Sequence, residues 1–268
     1  MEISSKSYKI DFVYIFHCGY CKNNLKHIFK DERKKDIIFS SKVVLLHHKE
    51  YGYFIYDTGY SRQIYNCGLV GKLYNFLNPA FVEKYDEIPQ KLSKIRISIS
   101  DIKSVIVSHF HPDHIGGLKF FDKSKIWVSK DVYLSYKNNK FKNLIFKGLL
   151  PSLLEKKLSV IDDFRSIYFF EKAYDVFSDG SVILVKLDGH AKGQLGLYLP
   201  EHKILFAADC CWKLDFLGKI NEMKFIPKLI QDDFYEYKKT IGLLKKLKNK
   251  NIKLIFSHDD NVKEGRMI

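Results

Sequence analysis

The chain has 268 residues, 46% of them apolar, and a formal charge of +14. That is material for one large domain or two small ones with a substantial buried core, which excludes a disordered or low-complexity chain. The charge is almost all lysine, with arginine only at Arg33, Arg62, Arg96, Arg165 and Arg266. Arginine is the usual bidentate reader of phosphate and base edges, so the basic balance is read as a solvated surface and nucleic acid is not an expected partner. The expected partner is a small-molecule substrate, anionic or acyl-bearing, which the charge would attract at long range. The oligomeric state is left open.

The segment Met1 to Ile10 carries Glu2, Lys6 and Lys9, and the apolar run Phe12 to Phe16 is too short for the core of a leader peptide. No stretch approaches the ~18 apolar residues of a spanning helix, so no membrane span is expected and the cytoplasm is the default location. Five cysteines, an odd number, do not read as a disulfide framework. Cys18 and Cys21 form a lone CxxC with no second pair to complete a zinc site, and are expected to be reduced structural thiols.

Strand patterns open the chain. Tyr8 to Phe16 is an extended apolar run, and Lys42 to His47 with Tyr51 to Tyr56 form an expected hairpin ending at Asp57-Thr58-Gly59. Residues 60–92, punctuated by Gly68, Gly71, Pro79 and Pro89, read as loops and short helices. Ser104 to Ser108 is a short β-branched strand. Ile126 to Ser129 follows as a strand, Lys130 to Asn138 as a helix, and 141–159 as a helical insertion. In the second half, Ile167 to Phe170 and Ala173 to Phe177 flank a turn, and Val182 to Leu187 ends at Asp188-Gly189-His190. Leu195 to Leu199 and Lys203 to Ala207 form another hairpin, and Asp233 to Asn249 is an amphipathic helix with Tyr237, Ile241 and Leu244 on one stripe. Ile252 to Phe256 is the last strand. Five strands therefore lead to Asp57, His109, His190, Asp209 and His258, which would gather at one sheet edge. Hairpins in both halves with interspersed helices suggest two packed sheets with helices outside.

Ser108 to His114 reads Ser-His-Phe-His-Pro-Asp-His. One short loop thus offers three imidazoles and a carboxylate, a donor set suited to Zn²⁺, with iron or manganese as alternatives. His109 and His111, two apart on leaving a strand, can grip one ion. Asp113 and His114, further round, can reach a second. Pro112 stiffens the loop and Gly116-Gly117 lets it turn. Further ligands must come from afar, and His190, Asp209 and His258 are the candidates.

This set resembles the metallo-β-lactamase superfamily over nearly the whole chain. Asp57-Thr58-Gly59, Ser108 to Gly117, Gly189-His190 through Gly193, Asp209 and Ser257-His258-Asp259 are similar, in order, to its five motifs. The resemblance implies an α/β fold, a four-layer αββα sandwich of two mixed β-sheets flanked by helices, spanning 1–268 as a single hydrolase domain. It implies that His109, His111 and His190 hold one divalent metal ion, that Asp113, His114 and His258 hold another, and that Asp209 bridges them. Asp57 would orient a ligand, and Asp113 would hold or pass on the proton of a metal-bound water that attacks the substrate.

Within the superfamily the chain looks most like the N-acyl homoserine lactonase branch, through Asp175 to Val182, the turn Gly189 to Gly193 and the pair His258-Asp259. It departs from that branch at Gln194, where a histidine is usual, and at Trp212, where a tyrosine is usual. Trp212 is expected to lie near the metals and shape the pocket, and Cys210 and Cys211 to be small buried residues. The expected reaction is hydrolysis of a small lactone, ester or thioester, and the alternative is phosphodiester cleavage, as in nuclease relatives of the same fold. A di-iron redox centre is disfavoured because His111 stands where that branch carries glutamate.

Overall fold

The computed structural model describes residues 8–30 and 32–268. Residues 1–7, part of the segment read above for a leader, lie outside the described residues. Strands β1 (Ile10–Asn24), β2 (Asp36–His48), β3 (Gly52–Tyr56), β4 (Ala80–Phe81), β5 (Ile102–Ile106), β6 (Lys125–Ser129) and β7 (Leu158–Ile161) build the first sheet. Strands β8 (Arg165–Ile167), β9 (Phe170–Asp175), β10 (Ile183–Lys186), β11 (Leu195–Leu199), β12 (Ile204–Phe206) and β13 (Lys253–Ile255) build the second, and β14 (Gly265–Arg266) returns to the edge of the first beside β1.

Both sheets are mixed. In the first, β1, β2 and β3 run antiparallel, then β3, β5, β6 and β7 pair in parallel. In the second, all pairs are antiparallel except β12 with β13. Alternation along the strands sends side chains to two different cores. Val44 and Leu46 of β2 and Leu184 of β10 point into the layer between the sheets, where they meet Phe54, Leu197 and Phe206. Their neighbours Val43, Leu45, Ile183 and Val185 point the other way and pack with helical residues. The helix Phe234–Asn249 contributes Tyr237, Ile241, Leu244 and Leu247 to that outer core. Each such buried apolar side chain contributes about 1.5–3 kcal/mol. Asp233 caps this helix by accepting from the amides of Tyr235 and Glu236. The expected four-layer sandwich is therefore the observed architecture.

The expected strands are found with corrections: β1 and β2 run longer than expected, the hairpin of β8 and β9 turns at Tyr168-Phe169 and not between Phe170 and Ala173, and β14 follows the strand expected to be last. Residues 141–159 do not form a helical insertion throughout. Short turns at Phe141–Asn143, Lys147–Leu149 and Leu154–Lys157 run into β7, which pairs in parallel with β6. Val160 and Ile161 are β-branched, and the open edge of β6 supplied the partner that a local reading of Leu and Lys spacing could not show.

Candidate metal centre

The strands β3, β5, β10, β12 and β13 deliver Asp57, His109, His190, Asp209 and His258 one to four residues past their ends. The loop after β5 is shaped locally. His111 is the N-cap of a single helical turn, Pro112–Ile115, with Pro112 at its first position, where the fixed φ suits a helix start. A Cβ on Gly116 would lie 2.5 Å from the Ser61 amide nitrogen, so only glycine lets this loop pass against the first motif. Thr58 ties the two together, donating its amide and its hydroxyl to the His114 carbonyl at 2.8 and 2.9 Å.

The seven expected ligands converge in two groups. His109, His111 and His190 form one, and Asp113, His114, Asp209 and His258 the other, with the donor atoms of each group within 4.8 Å of one another. In the first, His109 Nε2 and His190 Nε2 stand 2.9 and 3.0 Å from His111 Nδ1. That is close to the ~3.3 Å edge of a tetrahedron with bonds of 2.0–2.1 Å around zinc. In the second, His258 Nε2 is 3.0 Å from Asp209 Oδ2, and His114 Nε2 is 3.3 Å from Asp209 Oδ1. Asp113 Oδ2 lies 3.4 and 3.5 Å from the same two nitrogens. Asp209 Oδ2 also lies 3.5 Å from His190 Nε2, so this one carboxylate faces both groups.

The donor set fits divalent ions by a separate observation. His114 Nε2 and Asp209 Oδ1 are buried without a hydrogen-bond partner, and unpaired buried polar atoms are costly unless something else binds them. Electrostatics divides the groups further. Burial, and then His190, pushes the His111 imidazolium pKa down to about 3, and burial likewise lowers His109 and His190. Their nitrogens are neutral lone-pair donors at neutral pH. Burial opposes charge on His114 too, yet Asp113, Asp209 and Asp57 together hold it well above its ordinary value. Against burial, His258 and His114 hold Asp209 well below the usual carboxylate range. The second group is thus a strong cation-attracting field.

Outer contacts fix the rings. Asp57 Oδ2 takes His114 Nδ1 at 2.7 Å, and Asp57 Oδ1 accepts the Ser108 amide at 2.7 Å. Ser108 Oγ stands 3.0 Å from His109 Nδ1. The Ser40 carbonyl accepts from His258 Nδ1 at 2.8 Å, and Gln231 Oε1 faces His190 Nδ1 at 2.8 Å. Asp57 is where its motif placed it. Ser40, Ser108 and Gln231 were missed as orienting groups. Ser108 adjoins the cluster and could have been found. Ser40 acts through its backbone, and Gln231 belongs to no motif.

Trp212, expected near the metals and in the pocket, is not among the residues that line the cavity in front of His109 and His111. It is buried in the core, its ring edge-on to Phe39, which is itself edge-on to His258. The chain after Asp209 turns into the core, where the large ring packs with Phe39. Asp259 accepts from the amides of Leu214 and Asn261, and so braces the turn after His258. Gln194 donates to Cys210 Sγ at 2.9 Å beneath Asp209. The four cysteines Cys18, Cys21, Cys210 and Cys211 are free and buried, and burial pushes the Cys21 and Cys211 thiols up to about 12.

The cavity in front of the three-histidine group has an apolar wall of Phe110, Val132, Ile145, Leu229 and Ile230, with Lys142, Asn143 and Lys192 at its side. Its walls come from 109–111, 132–145, 190–192 and 229–232, and residues 60–92 contribute none of them.

Comparison with known proteins agrees with this geometry. The N-acyl homoserine lactonase AiiB of Rhizobium rhizogenes is 22% identical over 210 residues, covering 76% of this chain and 74% of AiiB. An N-acyl homoserine lactone hydrolase solved with N-hexanoyl-L-homoserine at its catalytic metal centre superposes with a TM-score of 0.73 at 21% identity, covering 94% of this chain and 95% of that one. AidC, a dizinc quorum-quenching lactonase, superposes with a TM-score of 0.68 at 17% identity, covering 95% and 92%. The likeness identifies a metallo-β-lactamase fold, and the relatives that share it are lactonases. The family described as Anti-Pycsar protein Apyc1 matches residues 82–254. That match takes in every strand from β5 to β12 and more than half of the chain, and the protein belongs to this family.

Proposed function

We propose that the chain is a binuclear metal-dependent hydrolase that acts on the carbonyl of a small lactone, ester or thioester. Asp209 carries the reading, because its two oxygens face donors of both groups. His109, His111 and His190 would hold one ion, Asp113, His114 and His258 the other, and Asp209 both, zinc being the first choice for this donor set. Bound there, divalent ions would activate water and polarise the scissile group. Asp113 is the more exposed of the two acids, 10% against 4% for its side chain. It is therefore assigned to take the proton of the attacking water. The apolar wall Phe110, Val132 and Ile145 would exclude solvent and receive an acyl group. The assignment is to one domain over 1–268 working in the cytoplasm; among the described residues no helix is long and apolar enough to cross a membrane.

One observation favours a second reading, hydrolysis of a phosphodiester. Among the described residues no tyrosine lines the cavity, so no phenol is at hand to polarise a carbonyl, while Lys192 and Lys142, the latter paired with Asp232 at 3.3 Å, bring positive charge to its lining. A panel of lactones, acyl thioesters, β-lactams and cyclic or bis-aryl phosphodiesters, assayed on zinc-loaded protein, separates the readings. Turnover of the carbonyl substrates alone supports the first and of the phosphodiesters alone the second, and no turnover by metal-loaded protein contradicts both.

A further inference from the structure

The segment Gln231 to Asp233 grips His190 at two points and its neighbour Gly189 at a third. The amides of Asp232 and Asp233 donate to the carbonyls of His190 and Gly189, each at 3.0 Å. Gln231 Oε1 lies 2.8 Å from His190 Nδ1, and Gln231 Nε2 donates to the Pro227 carbonyl at 2.8 Å. The direction of this chain of contacts is fixed by chemistry. A backbone carbonyl only accepts, so the side of the amide facing Pro227 must be the NH₂ group. The side facing His190 is then the oxygen, which also only accepts, so His190 must carry its proton on Nδ1. Its Nε2 lone pair is left facing His111 Nδ1 at 3.0 Å and Asp209 Oδ2 at 3.5 Å. Gln231 is 5% exposed, so water does not compete freely for these contacts.

We infer that Gln231 is a positioning residue that sets the tautomer and the ring direction of His190 and so tunes one of the two metal sites. The inference rests on His190 being a ligand as proposed above. It differs from a packing role, because a packing residue of the same volume would leave both tautomers of His190 available. Histidine ligands generally need such an outer partner, and losing it lowers metal affinity about 10- to 100-fold.

Two variants and two readouts test it. Gln231→Leu removes the acceptor at similar volume. Gln231→Glu keeps an acceptor for Nδ1 but gives up the donation to Pro227. Nitrogen-detected NMR of the imidazoles in metal-free protein reads the tautomer without any metal present. Zinc competition against a chromophoric chelator reads the two affinities separately. Wild-type and Gln231→Glu protein are expected to show His190 protonated on Nδ1. Gln231→Leu is expected to show a mixture and a 10- to 100-fold loss at one zinc site, with the other site and the melting of the metal-free protein little changed. An Nδ1–H His190 and wild-type affinities in Gln231→Leu would overturn the inference. So would an equal loss at both sites together with lowered melting, which marks a structural residue. If Gln231→Leu does not fold, Gln231→Glu decides alone: a retained tautomer and affinity support the role, and their loss contradicts it. Failure of the binuclear reading looks different, since wild-type protein itself would then bind fewer than two zinc ions.

Discussion

Asp57 Oδ2 and His114 Nδ1 lie 2.7 Å apart with both side chains 1% exposed, and Asp57 holds this place in a left-handed backbone at φ 60°. Among the buried contacts that join the first motif to the second, this is the one that reaches the His114 ring. Asn tolerates this backbone conformation, so Asp57→Asn isolates the charge. The variant is expected to lose about 1–3 kcal/mol of stability. It should also lose about 10- to 100-fold in affinity at the site His114 serves. Denaturant melts and zinc competition check both numbers, and wild-type affinity would detach Asp57 from the metal centre.

Trp212 packs against Phe39 and not at the cavity. Trp212→Ala is expected to lower stability by about 3–5 kcal/mol, as loss of a buried indole does. Kinetics across an acyl-chain series should shift in parallel for all substrates. A change confined to KM for bulky acyl groups would return the side chain to the pocket.

Cys18 and Cys21 are free, and burial keeps both thiols protonated. Changing both to serine should leave metal content and turnover near wild type, with a stability cost of about 1–3 kcal/mol for each hydroxyl that finds no partner. Loss of a metal equivalent in the double variant would contradict the structural role.

Lys42 is 4% exposed and donates to Ser40 Oγ at 3.0 Å and to the Ser257 carbonyl at 3.2 Å. Burial lowers its pKa from 10.5 to about 7, with Asp259 and Asp260 opposing the shift. Between these values the unfolded chain binds more protons than the folded one, so stability must rise with pH. The metal-free protein is expected to gain stability from about pH 7 upward and to show no pH dependence from this group below it, where it is charged in both states. Lys42→Met should flatten that rise in pH-dependent melts, and an unchanged slope would assign it to other groups.

The sheets and the metal loop could be read in the sequence because each has a strong local signature. Val43 to Leu46 alternates between two cores, and three histidines and an aspartate crowd into six positions after a β-branched strand. Asp57, His190, Asp209 and His258 were placed by their positions after strands. What escaped was set by tertiary contact. β7 forms because β6 offers an edge, and Trp212 turns inward because Phe39 is there. Gln231 comes 41 residues after His190, and a polar side chain carries no periodic mark of the partner it will meet.

The central claim is a two-ion site bridged by Asp209, and the metal content of wild-type and Asp209→Asn protein tests it most directly. Asn keeps the volume but gives up the charge and one of the bridging oxygens, while the cores between and outside the sheets are untouched. The expected result is about two zinc equivalents in wild-type protein purified without chelator and about one in the variant, with turnover mostly lost and melting of the metal-free protein nearly unchanged. One equivalent or less in the wild type, or two equivalents and full turnover in Asp209→Asn, would contradict the account.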